Sequence, residues 1–230
     1  MLISGLEKMS LVDYDGFVSA TIFTGGCNFR CGFCHNSPLV LEYKSLPQIP
    51  EYEVLEYLKK RKGLLDGVCI SGGEPTLQKD LPAFIEKVKN LGYSVKLDTN
   101  GTSPDLVKSL WENRLVDYFA TDIKSDKNGY SKIIGIDNYD LSKVEKTIDY
   151  FMNNDVNYEL RTTIIKEYHT NTVMENIGKW IKGAKKYFLQ KYIDNENCIN
   201  SGYTEISKEQ AEEFRYLLLS YVPNTNLRGY

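Results

Sequence analysis

The chain has no run approaching the ~18 consecutive apolar residues of a membrane-spanning helix, so no membrane association is expected. Its start, Met1-Leu-Ile-Ser-Gly-Leu-Glu-Lys8, lacks the apolar segment of a secretion signal, and a cytoplasmic location is expected. Charge of one sign is missing too. Twenty-eight basic residues face 31 acidic ones, for a net charge of −3. That balance argues against a polycation that coats nucleic acid and against an acidic tail. Cysteine is scarce: five residues, an odd number spread unevenly, do not make a disulfide framework. Repeats, low-complexity runs and long linkers are absent as well. What remains is an ordinary globular composition, 42% hydrophobic and 26% charged over 230 residues, enough for one sizeable core. A single domain over 1–230 is expected, with an N-terminal extension at 1–16 and a C-terminal segment at 191–230 that carries the last helix.

Short β-rich runs alternate with amphipathic stretches. Phe17–Thr24 reads as a strand, and Pro50 opens a helix with Glu51 and Glu53 in its first turn and Lys59–Lys62 at its end, both suited to the helix dipole. Gly67–Ser71 precedes a helix whose Leu81, Phe84, Ile85, Val88 and Leu91 share a face. Tyr93–Leu97 precedes a helix capped by Ser103 with Pro104 first, and Val116–Ala120 precedes one carrying Leu141, Val144, Ile148 and Phe151. Tyr158–Ile164 precedes a helix opened by the capping pattern Thr172-x-x-Glu175, and Lys186–Gln190 one opened by Ser207-x-x-Gln210. Six such couplets predict an α/β fold of parallel strands with outer helices. A full eight-unit barrel takes about 250 residues, so a partial (β/α)6 TIM-like barrel is expected, although an open doubly wound sheet fits the same pattern.

Ligands of parallel sheets gather at the C-terminal ends of the strands. Gly25-Gly26-Cys27, Gly72-Gly73-Glu74-Pro75, Asp98-Thr99-Asn100-Gly101, Asp122-Ile123-Lys124 and Arg161 all fall at such ends. Five polar or glycine-rich signals on one rim point to a site.

Three of the five cysteines, Cys27, Cys31 and Cys34, fall in a C-x-x-x-C-x-x-C pattern. Soft thiolates select zinc, copper(I) or iron–sulfur clusters. Structural zinc wants four closed ligands; a second cysteine pair is missing, and His35, next to Cys34, would be an awkward chelate. Three thiolates on a cubane cluster would leave one iron open to a substrate. Unligated thiols remain the plain alternative. Cys69 lies in an apolar strand and reads as core, Cys198 reads as incidental, and His169, in a Tyr-His-Thr-Asn loop, reads as a surface residue.

The segment Cys27-Asn-Phe-Arg-Cys31-Gly-Phe-Cys34-His35-Asn36, with Ser71-Gly-Gly-Glu-Pro75, resembles the radical S-adenosylmethionine (SAM) superfamily. The likeness extends through Leu97–Gly101, Thr121–Lys124 and Leu160–Thr163. It implies a [4Fe-4S] cluster on Cys27, Cys31 and Cys34, with SAM chelating the fourth iron and yielding a 5′-deoxyadenosyl radical on one-electron reduction. Phe29 and Phe33 would give the cluster apolar cover or simply pack the loop. Gly72 and Gly73 would let backbone approach the methionine ammonium, Glu74 would accept from it, and Pro75 would fix the turn. Asp122 suits ribose hydroxyls and Lys124 the methionine carboxylate; an ion pair between them is the plainer reading. Asp98 and Thr99, with Asn100 beside them, would help bind a small cation or cap the next segment. Arg161 would contact SAM or substrate, or form a salt bridge, and Tyr192 would stack on adenine.

His35-Asn36 after the third cysteine is the form typical of glycyl-radical-enzyme activases, and is counted with the cofactor-binding residues. Gly5-Leu-Glu-Lys-x-Ser-Leu-x-Asp13-Tyr14-x-Gly16 is similar to the activating proteins of anaerobic ribonucleoside-triphosphate reductase, with Asp15 where that family usually has proline. The resemblance therefore implies an activase that takes a glycine Cα hydrogen from a partner enzyme, fed by a flavodoxin- or ferredoxin-type electron donor. Alternatives are activation of pyruvate formate-lyase or a related enzyme, and a 7-carboxy-7-deazaguanine synthase, whose family places aspartate rather than His-Asn after the third cysteine. A non-catalytic iron–sulfur or zinc module is the reading of a different class.

Overall fold

The computed structural model describes residues 1–230 and divides into two compact units, 1–28 with 38–119, and 29–37 with 120–230. In the first unit, β1 (Ile3–Ser10) pairs antiparallel with β2 (Ser19–Thr24), which continues in parallel to β3 (Gly67–Gly72) and β4 (Ser94–Thr99). Strands β2 to β4 are short and rich in Val, Ile, Leu and Thr, and their middle residues are buried, as parallel strands between layers require. In the second unit, β6 (Tyr158–Ile164), β7 (Tyr187–Lys191) and β8 (Thr225–Arg228) run parallel, Leu160 opposite Tyr187 and Tyr187 opposite Thr225. β5 (Tyr118–Asp122) crosses the division.

The helices of the first unit are α1 (Ser37–Leu41), α2 (Glu51–Lys60), α3 (Leu81–Asn90) and α4 (Pro104–Glu112), α1 beginning on the last residue of the 29–37 loop. Those of the second are α5 (Tyr130–Ile134), α6 (Ser142–Asn153), α7 (Asn171–Trp180) and α8 (Lys208–Leu219). Each long helix buries one stripe: Val54 and Leu58 in α2, Leu81, Phe84, Ile85 and Val88 in α3, and Val144, Ile148 and Phe151 in α6. None is long and apolar enough to cross a membrane.

The six expected β–α couplets are present, and the α/β fold is that of the expected partial (β/α)6 barrel. Two strands lie outside that expectation. β1 occupies the N-terminal extension, and β8 follows the last helix. The first expected strand begins at Ser19 rather than Phe17, because the Phe17 N–H turns back to Tyr14 O at 3.0 Å. β5 begins two residues later than expected, since Asp117 is engaged by Val95 N–H at 2.7 Å and by Lys89. Ser207 caps α8 as expected, accepting from Gln210 N–H at 3.2 Å. α7 does not use Thr172: Thr170 is its cap, accepting from Val173 N–H at 3.4 Å, and Glu175 pairs with Lys179 instead. Ser103 makes no side-chain cap bond to α4.

Candidate active site

In the first unit the ends of β2, β3 and β4 meet around Glu74. A Cβ added to Gly73 would lie 2.0 Å from Gly26 O, so only glycine lets these two turns touch backbone to backbone. Glu74 N–H donates to Gly26 O at 2.8 Å and Gly73 N–H to Thr24 O at 2.9 Å, closing the contact. Glu74 itself is 1% exposed. Its Oε1 accepts from Thr76 N–H, Thr76 Oγ1 and Thr99 Oγ1 at 3.1, 2.6 and 2.8 Å, and its Oε2 from Asn100 N–H at 2.6 Å. Burial pushes its carboxyl above the usual range while these donors pull it back. The carboxylate therefore braces the rim from within. Pro75 opens the short 3-10 turn that follows.

Asn100 links this brace to the cysteine loop. Its Nδ2 donates to Asn28 Oδ1 at 2.8 Å and lies 4.0 Å from Cys27 Sγ. Asp98 accepts from Ser71 Oγ at 3.1 Å and pairs with Lys96 at 2.8 Å; Lys96 also donates to Asp13 O at 2.6 Å. Asp13 in turn accepts from Thr21 Oγ1 at 2.6 Å, so the N-terminal turn is tied to β2 and β4. Lys96, buried on a strand, went unmarked in the sequence because an isolated lysine in a β run looks like solvent-facing alternation.

In the second unit Asp122, Lys124 and Arg161 come together. Lys124 Nζ lies 2.8 Å from Asp122 Oδ2, and Arg161 Nε lies 2.9 Å from Asp122 Oδ1. Burial alone would raise the Asp122 carboxyl, but the two cations outweigh it and hold it well below the usual carboxylate range. Burial likewise opposes the Lys124 charge, and Asp122 overrides it, keeping the ammonium protonated. Arg161 also approaches Glu159, which Arg228 grips through both guanidinium nitrogens at 2.9 and 3.2 Å. Lys124 Nζ stands 5.8 Å over the Phe33 ring, so the cation faces the cysteine loop.

Cys31, Gly32 and Phe33 are buried, Cys34 and Asn36 half-buried, and His35 exposed. Phe29 packs edge-on against Tyr130 and Tyr139, covering the loop's start. Burial pushes the Cys34 thiol up, while the Asn36 N–H and Lys124 pull it down. Tyr192 is 1% exposed, its hydroxyl on Asp194 Oδ1 at 2.7 Å and its ring edge against Tyr203, so it presents no open face for the expected adenine stacking. His169 is also not the expected surface residue. It is 2% exposed: Ile165 N–H donates to Nδ1 at 3.0 Å, which leaves the proton on Nε2 to be donated to Lys124 O at 3.2 Å. Cys69 is fully buried in β3, as expected of a core thiol.

Three thiolates without a second cysteine pair suit an iron–sulfur cluster with one iron left open, whereas structural zinc takes four closed donors. Lys124 supplies positive charge toward Cys31 and Cys34, and Asn100 an N–H toward Cys27, both of which stabilise thiolate sulfur.

Residues 21–179 match the Radical SAM superfamily. A protein of Methanocaldococcus jannaschii, named with a provisional assignment as a glycyl-radical enzyme activating enzyme, is 33% identical over 99% of this chain and 95% of its own length. The pyruvate formate-lyase-activating enzyme of Clostridium pasteurianum is 32% identical over 58% of this chain and 57% of its own. Among solved structures, Streptococcus suis SuiB bound to S-adenosylmethionine superposes with a TM-score of 0.70 at 14% identity, covering 89% of this chain and 48% of that protein.

Proposed function

Because the chain belongs to the radical SAM superfamily, and is an enzyme of that kind using a [4Fe-4S] cluster and SAM, we propose that it activates a glycyl radical enzyme, with anaerobic ribonucleoside-triphosphate reductase as the partner. The observation that carries this is the likeness over almost the whole chain to the M. jannaschii protein, joined to His35-Asn36 after the third cysteine. The ribonucleotide reductase assignment is supported by the Gly5–Gly16 motif. The motif's Ser10, Asp13 and Tyr14 build the turn that ties β1 to β2: Ser10 Oγ accepts from Asp13 N–H at 3.2 Å, and Tyr14 stacks on Phe17 at 4.2 Å.

Cys27, Cys31 and Cys34 are assigned as the cluster ligands. When bound, the cluster and SAM supply a one-electron cleavage of the sulfonium that gives methionine and a 5′-deoxyadenosyl radical. The protein's own residues bind, orient and exclude water. The Gly72-Gly73 turn sets its backbone against Thr24 and Gly26 and so shapes the rim, Asp98 and Thr99 stand at the end of β4, and Lys124, kept charged by Asp122, offers an ammonium to a carboxylate. Arg161 holds Asp122 in place, and Phe29 and Phe33 keep the loop dry. Glycine is a suitable target, since its Cα carries no side chain to shield it. A cytoplasmic setting and a flavodoxin- or ferredoxin-type donor complete the reading.

The test is anaerobic. Cluster-reconstituted protein, reductant and SAM are mixed with anaerobic ribonucleotide reductase or with pyruvate formate-lyase, and the glycyl radical is followed by electron paramagnetic resonance. A radical on the reductase is expected. Deoxyadenosine without a radical on either partner sinks the activase reading, and a radical on the lyase alone sinks the partner assignment.

A further inference from the structure

The stretch Cys31–Cys34, buried as far as Phe33, lies against residues 194–204, a segment without helix or strand that follows β7. Two backbone bonds join the two, and a third ties the segment to Ser37 just beyond. Asn200 N–H donates to Gly32 O at 2.7 Å, Ile199 N–H to Cys34 O at 3.1 Å, and Ser37 N–H to Asn197 O at 3.1 Å. Contact at Gly32 is tight: a Cβ there would lie 2.2 Å from Tyr203 Oη and 2.8 Å from Asn200 Nδ2, so the ends of both side chains would have to move. The segment is itself tied down. Asp194 accepts from the Tyr192 hydroxyl at 2.7 Å and from Gly202 N–H at 3.3 Å, and Glu167 accepts from Thr204 N–H at 2.9 Å. The Tyr203 ring sits between Tyr168 and Tyr192, at 5.8 and 6.2 Å. A glycine between two cysteines, filled from outside by a tyrosine hydroxyl, is more than chain packing needs, since most of 194–204 is exposed and adds little to the core.

We propose that segment 194–204 is a clamp that positions the Cys31–Cys34 half of the cluster loop, with Tyr203 seated on Gly32 as its point of register. The proposal rests on the reading of these cysteines as cluster ligands. Hydrogen bonds and solvent access around thiolate sulfur tune a cluster's electronic structure and durability. The clamp acts on the second of these directly and on the first through the backbone, because it covers Cys31–Cys34 and occupies the Gly32 and Cys34 carbonyls. Gly32 and Tyr203 are positioning residues, acting through the loop.

Gly32→Ala tests this in the full-length reconstituted enzyme. Expected are an unchanged circular dichroism spectrum and near-normal iron loading. The paramagnetic resonance spectrum of the reduced cluster should be altered, and cluster loss in air faster by roughly ten-fold, the lower end for outer-shell partners of metal ligands. Adding Tyr203→Phe, which removes the nearest atom, should bring spectrum and lifetime back toward wild type, a rescue that a general packing defect would not show. Should Gly32→Ala fail to fold, Tyr203→Ala carries the same expectation for spectrum and lifetime. Wild-type spectra and lifetimes in the folded variant overturn the clamp. Cys31→Ala, run in parallel, separates the two readings: if it loses the cluster while the clamp variants behave as wild type, only the clamp fails, and if it keeps the cluster, the ligand assignment fails.

Discussion

A carboxylate with 1% exposure must replace its lost hydration from within the protein, and Glu74 does so with donors from Thr76, Thr99 and Asn100. Glu74→Gln keeps the shape but sets an amide N–H against donors on one side. A loss of about 2–3 kcal/mol is expected from the charge-assisted bonds alone, read by urea unfolding; a change below about 0.5 kcal/mol, the range of ordinary surface substitutions, would remove its role as a brace. His169 makes a pH-dependent counterpart. Burial holds its imidazole down, from 6.5 to about 4, against the pull of the carbonyls of Lys124 and Ile165. Between those two values the unfolded chain takes up a proton that the folded chain refuses, so this contribution to stability is complete above about 6.5 and falls away as the pH drops toward 4. Its full size is about 3 kcal/mol, at about 1.36 kcal/mol for each pKa unit. Comparing the pH dependence of unfolding in wild type and His169→Gln isolates it, and parallel profiles from pH 7 to 4 would refute it.

Among the elements, α8 and α7 show what the sequence can and cannot specify. Ser207 is a cap in both sequence and structure, and Ser207→Ala should cost about 1 kcal/mol. Thr172 satisfies the same pattern three residues before a glutamate, yet Thr170 two residues earlier makes the bond, so Thr170→Ala should cost about the same and Thr172→Ala little. Thermal unfolding of the three variants decides this, and equal losses at 170 and 172 would contradict the cap. β6 was legible to the residue because Tyr158–Ile164 is rich in strand formers, a tyrosine, two threonines and an isoleucine. β1 was not, since Ile3–Ser10 carries Gly5, Glu7 and Lys8 and becomes a strand only by pairing with β2. The cysteine pattern and the glycines at 72 and 73 announced a site because their chemistry is local. His169 was misread for the opposite reason: one of its partners, Lys124 O, is 45 residues away.

At the scale of the whole molecule, the cluster is expected to add to folding free energy, because a metal group that binds only the native chain stabilises it by mass action. Anaerobic removal of iron with a chelator should lower the melting temperature and abolish deoxyadenosine formation from SAM and reductant. Cys31→Ala should show the lowered melting temperature without chelator and respond to chelation no further. A variant that still cleaves SAM would refute Cys31 as a ligand.

The Gly26–Gly73 contact carries a lesson for protein engineering. It is made by main chain, so it admits no Cβ at position 73. A library on this rim therefore keeps Gly73, and keeps Asp98 and Asn100 as well, whose side chains hold Ser71, Lys96 and Asn28. A library that varies position 73 would spend its members on chains that cannot close the turn.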